Sequence, residues 1–154
     1  MKLSEKGRYA PPPPLPKHAQ ALAEAIAEWP EVHARTHWYL GDESTVDGAD
    51  FYVGAGEVGH IHLDGEAHIA FSVKVAKALI DAGLAEPFAW GNHFVVCRVR
   101  RAIDIAAAKA LFRLAYDRCR GASEKDLLER IRARAAYRFP FGPRPSAPPH
   151  EPGS

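Results

Sequence analysis

The sequence predicts an α+β fold: one domain holding an antiparallel sheet of about five strands, with helices packed on one face. Three observations lead there. The chain has 154 residues, 47% apolar and 25% charged, which suits a single domain with one sizeable core. Between residues 32 and 71 strand-like runs follow one another across short turns, and strands joined so briefly run antiparallel. Runs of helical period are grouped before and after them, with a single later strand between helices, which implies α+β with one face of the sheet covered.

Each element has its own signal. HAQALAEAIAEWP places Leu22, Ile26 and Trp29 on one helical stripe and is stopped by Pro30. VHARTHWYL, from Val32 to Leu40, is β-rich, and GDESTVDGA after it is a polar loop of turn residues. Asp50 to Val53 makes a short strand, and after a Gly-Ala-Gly turn Glu57 to Leu63 and Glu66 to Phe71 form a hairpin across Asp64-Gly65. Ser72 is the N-cap of a helix through Val75, Ala78, Leu79 and Ile80, and Gly83 ends it. A linker containing Pro87 leads to the strand HFVVCRV, from His93 to Val99. Asp104 caps a helix with the face Ala107, Ala108, Leu111, Leu114 and Ala115, ended by Gly121. Ser123-x-x-Asp126 resembles a capping box and opens a last, Arg-rich helix that docks through Leu127, Leu128 and Ile131.

Five of the 13 prolines fall at Pro11 to Pro14 and Pro16, and six more follow Tyr137. Such stretches favour extended backbone without internal hydrogen bonds. The expected division is a Pro-rich arm over 1–16, a folded domain over 17–138 and a Pro-rich tail over 139–154. The arm's P-P-P-P-L-P also resembles a polyproline ligand for a partner domain.

Net charge is +1 but unevenly spread: 7 Lys/Arg against 11 Asp/Glu up to Lys77, and 13 against 8 beyond it. The C-terminal excess suits either an anion-facing surface or solvated helix faces. No basic cluster with interleaved aromatics appears, so nucleic acid is not the favoured partner. Cys97 and Cys119 lack metal-type spacing, and Cys97 falls in an apolar strand as a small core residue. Neither a secretory signal nor an apolar run of about 20 residues is present, so the expectation is a cytoplasmic protein with no membrane partner.

The stretch EVGHIHLDG carries most of the chemistry. Residues i and i+2 of a strand share a face, so His60 and His62 point the same way. A two-residue Asp64-Gly65 turn puts His68 on the opposite face, whereas a three-residue loop gathers all three imidazoles on one face and the aliphatic residues on the other. Turn chemistry favours the first register and hydrophobic pattern the second, and the expectation is the first, with the favoured turn. Three roles stand open for the pair. As metal ligands, His60 and His62 would need His68, or else His33, His37, His93 or a carboxylate, to complete a zinc or iron site. As acid/base groups they suit neutral pH. As buried hydrogen-bonders they would be structural.

From Asp50 to Arg118 the chain resembles the luciferase domain family, named for the fungal luciferases and including many small bacterial proteins. The residues that carry the resemblance are Asp50-Phe51, the Gly59-His60-x-His62 core of EVGHIHLDG, AHIAFSVKVAKALIDAGLAEP, the strand ending Val95-Val96-Cys97-Arg98-Val99, and LFRLAYDR from Leu111 to Arg118. The resemblance implies oxidation of a small hydroxypyrone-type compound by molecular oxygen, through a peroxide that loses carbon dioxide. No cofactor is then required, although a divalent metal is open. His60 or His62 would be the base, with the other imidazole or Arg98 stabilising the anion, and His68, His93, Phe94 and Tyr116 would border the substrate. Two departures bear on substrate identity: Asn92-His93-Phe94-Val95 stands where bacterial members often have Ser-Gly-Trp-Val, and His68 where many have Asp. The hydrophobic N-terminal segment of the fungal enzymes is also missing. The order of strands and helices further resembles small double-wing proteins, which implies a non-enzymatic nucleic-acid or protein-binding module as the alternative.

Overall fold

Alternation along the strands builds a sheet with two different faces, and the helices cover only one of them. The structure is a computed structural model that describes residues 10–138. Its elements are α1 (Lys17–Ala27), β1 (Val32–Tyr39), β2 (Asp42–Val53), β3 (Gly56–His62), β4 (Glu66–Ala70), α2 (Val73–Asp81), β5 (Glu86–Pro87), β6 (Phe94–Arg98), α3 (Asp104–Cys119) and α4 (Glu124–Arg138). The sheet is antiparallel throughout, in the order β1-β2-β3-β4-β6-β5. It has six strands rather than about five, because the Pro87 linker adds the two-residue β5 to the edge of β6.

On the covered face Ala49, Phe51, Ile61, Ile69 and Val95 meet Leu22, Ile26, Leu79, Leu111 and Phe112 from the helices, all fully or almost fully buried. Each such large side chain contributes roughly 1.5–3 kcal/mol of burial. Directly paired residues share a face, so the ladder Arg35↔Asp50↔His60↔His68↔Val96 runs across the other side of the sheet. The polar ladder is buried too: Arg35, Asp50, His60 and His68 are all 8% exposed or less.

The local signals for helices are realised. Ser72 Oγ accepts from Val75 N and Ser123 Oγ from Asp126 N, and Gly83 and Gly121 take the left-handed conformation that ends a helix. Asp104 begins α3 rather than capping it, and its carboxylate turns back to accept from the backbone N–H groups of Arg100 and Arg101. Residues 10–16 of the expected arm lie against the sheet: Thr36 N donates to Ala10 O, and Leu15 is half-buried against the core. Residues 1–9 and the expected tail over 139–154 lie outside the described residues.

Two expectations about strands are corrected. The polar stretch from Asp42 to Ala49 is the first two-thirds of β2, paired with β1 across bulges near Trp38. A ladder needs only backbone groups, so turn-forming side chains did not prevent it. The β3–β4 hairpin closes with the three-residue loop Leu63 to Gly65, pairing His60 with His68. Gly65 sits at φ 87°, its N–H donates to His62 O, and Asp64 Oδ1 accepts from Glu66 N. A left-handed glycine closing a three-residue loop is the next favoured hairpin geometry after the two-residue turn. The hydrophobic pattern therefore prevailed over the shorter turn, and the three imidazoles share a face.

Candidate functional site

Four histidines meet on the face away from the helices. His37 comes from β1, His60 and His62 from β3, and His68 from β4. Gly48 of β2 stands between His37 and His62 in the register, and a Cβ there would fall 2.0 Å from Ile61 O. The missing side chain lets the β3 backbone approach β2 at this point. One step along, β3 bulges: Phe51 faces Gly59 and Tyr52 faces Glu57, so Val58 is the extra residue. The bulge turns Val58 into the core and delivers Glu57 to the histidines, the kind of re-aiming bulges perform beside functional sites. Arg118 holds the bulge by donating to Glu57 O at 2.8 Å.

Every imidazole has a carboxylate behind it. His60 Nδ1 lies 2.9 Å from Glu57 Oε1, His62 Nδ1 2.9 Å from Asp47 Oδ2, and His68 Nε2 2.8 Å from Glu66 Oε1. His37 Nδ1 is 2.6 Å from Asp50 Oδ1, close enough for an ion pair but not aligned as a hydrogen bond. The opposite nitrogens face one another: His60 Nε2 and His62 Nε2 lie 3.1 and 3.2 Å from His68 Nδ1. A carboxylate accepts and does not donate, so His60 Nδ1 donates to Glu57 and His68 Nε2 to Glu66. Burial pushes the pKa of His60 below its ordinary value, with Glu57 opposing the shift. Burial also lowers that of His62, helped by His68 and opposed by Asp47. Both effects keep the rings neutral.

Aromatic side chains border the cluster. The Phe88 ring stands 4.9 Å from that of His68 and 5.5 Å from that of Phe94, and Phe94 lies 5.8 Å from His60. Trp90 touches Phe88 at 5.9 Å and is 85% exposed. Arg98 is exposed at the rim, where it binds Glu86 and approaches Glu66 Oε2 at 3.4 Å, touching the histidines only through Glu66. His93 is exposed at the entry to β6, and only its backbone is engaged, accepting from Phe71 N.

Tyr116 is elsewhere. It sits on α3, on the covered side, donating to Pro30 O at 3.0 Å with its ring 5.2 Å from that of Trp29. There it lines a cavity of about 430 Å³ together with Arg113, Arg120 and Arg130, whose cations already pair with Asp117 or Glu31. That cavity shares no lining residue with the histidine cluster. Sequence reasoning placed His60 and His62 on one face, favoured the register that turns His68 away, and named Phe94 only through the resemblance; it missed Asp47, Gly48, Glu57, Phe88 and Trp90. Asp47 and Gly48 lay in the stretch read as loop, Glu57 needed the bulge, and Phe88 and Trp90 stood in the linker.

The thiols take no part. Burial pushes Cys97 up to about 12 and also raises Cys119. Iodoacetamide is therefore expected to leave Cys97 unmodified in the native chain and to alkylate it promptly in urea, as read by mass spectrometry. Native labelling of Cys97 as fast as denatured would contradict its raised pKa and partial burial.

A row of carboxylate-backed histidines, buried at His60 and His68 and half-buried at His37 and His62, lies on the helix-free face of an antiparallel sheet beside Phe88 and Phe94, in a single α+β domain. Residues 55–115 match the family model described as Luciferase domain, so that segment is similar to luciferase domains. The match takes in His60, His62, His68, Phe88 and Phe94 and leaves His37, Asp47 and Asp50 outside. Neither a curated protein nor a solved structure matches the chain. Among the described residues no helix is long and apolar enough to cross a membrane.

Proposed function

We propose that the histidine face binds a small electron-rich compound of the hydroxypyrone or aromatic type and oxidises it with molecular oxygen. The observation that supports this reading most is the pairing of inward-facing imidazole nitrogens with an aromatic wall. The polar edge suits an enolate oxygen, and Phe88 and Phe94 suit a flat ring. In such a reaction the deprotonated enol gives an electron pair to oxygen and a carbon–oxygen bond forms. The peroxide then attacks the lactone carbonyl, and carbon dioxide leaves. Substrate and oxygen give product and carbon dioxide, so no outside reductant is consumed. The site must hold the enolate, stabilise charge as it grows on the peroxide and keep water out. His60, His62 and His68 form the edge where the first two happen, with Arg98 at the rim.

The arginines that suggested nucleic acid support it less. Arg113, Arg120 and Arg130 pair with carboxylates, and Arg118 is tied to the β3 backbone.

Oxygen uptake and carbon dioxide release, followed with the full chain and a panel of hydroxypyrones and related lactones, test the proposal. Uptake matched by carbon dioxide with at least one compound is the expected result. No uptake above buffer across the panel would overturn it.

A further inference from the structure

From the hydrogen-bond chain Glu57–His60–His68–Glu66 we infer that the histidine face holds one proton beyond those of neutral rings, with His68 as the imidazolium. This proton ties up His60 and leaves His62 as the base of the site. The inference deepens the proposed function and rests on it only for the use of the base; its test needs no substrate.

The chain has three links: 2.9 Å from Glu57 Oε1 to His60 Nδ1, 3.1 Å from His60 Nε2 to His68 Nδ1, and 2.8 Å from His68 Nε2 to Glu66 Oε1. Each link needs one proton, and a carboxylate brings none, so the two rings must carry all three. Two neutral imidazoles carry two. With those spent on Glu57 and Glu66, His60 Nε2 and His68 Nδ1 would set lone pair against lone pair at hydrogen-bond distance, and both residues are buried. His62 cannot repair this. Its Nε2 lies 3.2 Å from the same His68 Nδ1, so a proton brought by His62 would fill that contact and leave the His60 contact empty.

Charge points the same way. Glu57 of β3 and Glu66 of β4 end the chain, and Asp47 and Asp50 of β2 face the rings of His62 and His37. Arg35 of β1 stands 4.0 Å from Asp50, and Arg98 of β6 is shared between Glu66 and Glu86 of β5. Among the described residues around the rings, carboxylates therefore outnumber arginines, and a protonated ring between Glu57 and Glu66 reduces the imbalance.

Burial places the charge. It holds His60 below its ordinary pKa, with Glu57 opposing and the stacked His37 adding to the effect, so the extra charge is pressed off that ring. His68 is the ring whose inner N–H finds two acceptors, Nε2 of His60 and Nε2 of His62. Of these His60 is buried, where no water would replace the bond, and His62 is the more open. The proton therefore goes to His60, both of whose nitrogens are then engaged. His62 keeps a free lone pair on Nε2, and burial together with the His68 charge, opposed by Asp47, holds its pKa below the ordinary value. A neutral ring with a free lone pair and access to solvent can act as a base, and a ring carrying both protons cannot. In the proposed oxidation the enol O–H breaks toward His62 Nε2, its electron pair stays with the substrate, and the proton returns to the product.

The test is nitrogen NMR of the full chain labelled with ¹⁵N-histidine, its ring signals assigned with single His→Gln variants. At neutral pH His68 is expected to show both nitrogens protonated, and His60 and His62 a bare Nε2 each. Across a pH titration, His62 should take up its proton at higher pH in His68→Gln than in the wild-type chain, because the neighbouring positive charge is gone. A bare nitrogen on His68 at neutral pH would overturn the shared proton. An unmoved His62 in a folded His68→Gln chain would overturn the assignment of the base. Should His68→Gln not fold, the wild-type spectrum decides both points: a doubly protonated His68 beside a bare His62 Nε2 supports the inference, and any other pattern sinks it. A chain that shows this pattern and oxidises nothing defeats the proposed oxidation alone. A chain that oxidises a hydroxypyrone with His68 singly protonated defeats this inference alone.

Discussion

His62→Ala is expected to lower oxygen-dependent turnover by about 10²-fold or more while leaving the fold in place. The ring is partly open, with its side chain 21% exposed, and its partner Asp47 is 30% exposed. Removing the ring therefore strands no buried carboxylate, since water reaches Asp47, and the stability loss should stay below about 1 kcal/mol. His60→Ala should abolish turnover as completely but at a higher cost to the fold. That ring is buried, stacks on His37 and faces Glu57, so its loss should destabilise by about 1–3 kcal/mol. Oxygen consumption and urea unfolding, run on both variants, separate the two effects. Two stable, fully active variants would place the chemistry elsewhere. Unfolding of both would make the pair structural.

The residues that write the fold locally were legible, and those that depend on register were not. Ser72, Gly83, Ser123 and Gly121 act within one turn of chain, so the sequence announces α2, α3 and α4 directly. His60 and His62 share a face under any pairing, because alternation needs no partner strand. His68 joins them only through the loop from Leu63 to Gly65, and a one-residue slip would have turned it away. Asp47 sits in a run of Asp, Ser and Gly that reads as loop, yet it is the bulged residue of a strand that pairs with β1 on either side of it, at Val46 and Gly48. Glu57 reaches His60 because Val58 bulges, a shift no period-two count contains. The site was half readable for one reason: each imidazole comes with the sequence, while its carboxylate comes with the sheet.

Gly59 in the Gly59-His60-x-His62 run ties the two faces together, and Gly59→Ala is expected to be among the most damaging small substitutions in the chain. Its neighbours His60 and Val58 carry side chains, but on the covered face Gly59 leaves room for α3. Phe112 is fully buried, its ring edge-on to Phe51 at 6.0 Å. A Cβ on Gly59 would meet Phe112 Cε1 at 2.9 Å, Ile69 Cα at 3.1 Å and His68 O at 2.7 Å. Only the first of these belongs to a side chain. Phe112 cannot swing away without opening the core, and truncating it to Ala should cost about 3–5 kcal/mol. His68 O belongs to the β4 backbone, and moving it disturbs the strand that presents His68 to His60. A loss of about 2–4 kcal/mol for Gly59→Ala follows, at the upper end for a single methyl group. The two causes can be told apart by combining Gly59→Ala with Phe112→Leu, which removes the ring contact and keeps the backbone one. Urea unfolding should show partial rescue, the double variant losing less than the sum of the singles. Full additivity would mean that Gly59 and Phe112 do not touch. Complete rescue would mean that the β4 backbone yields without cost, and the close approach of strand to strand would then play no part in why this position is glycine.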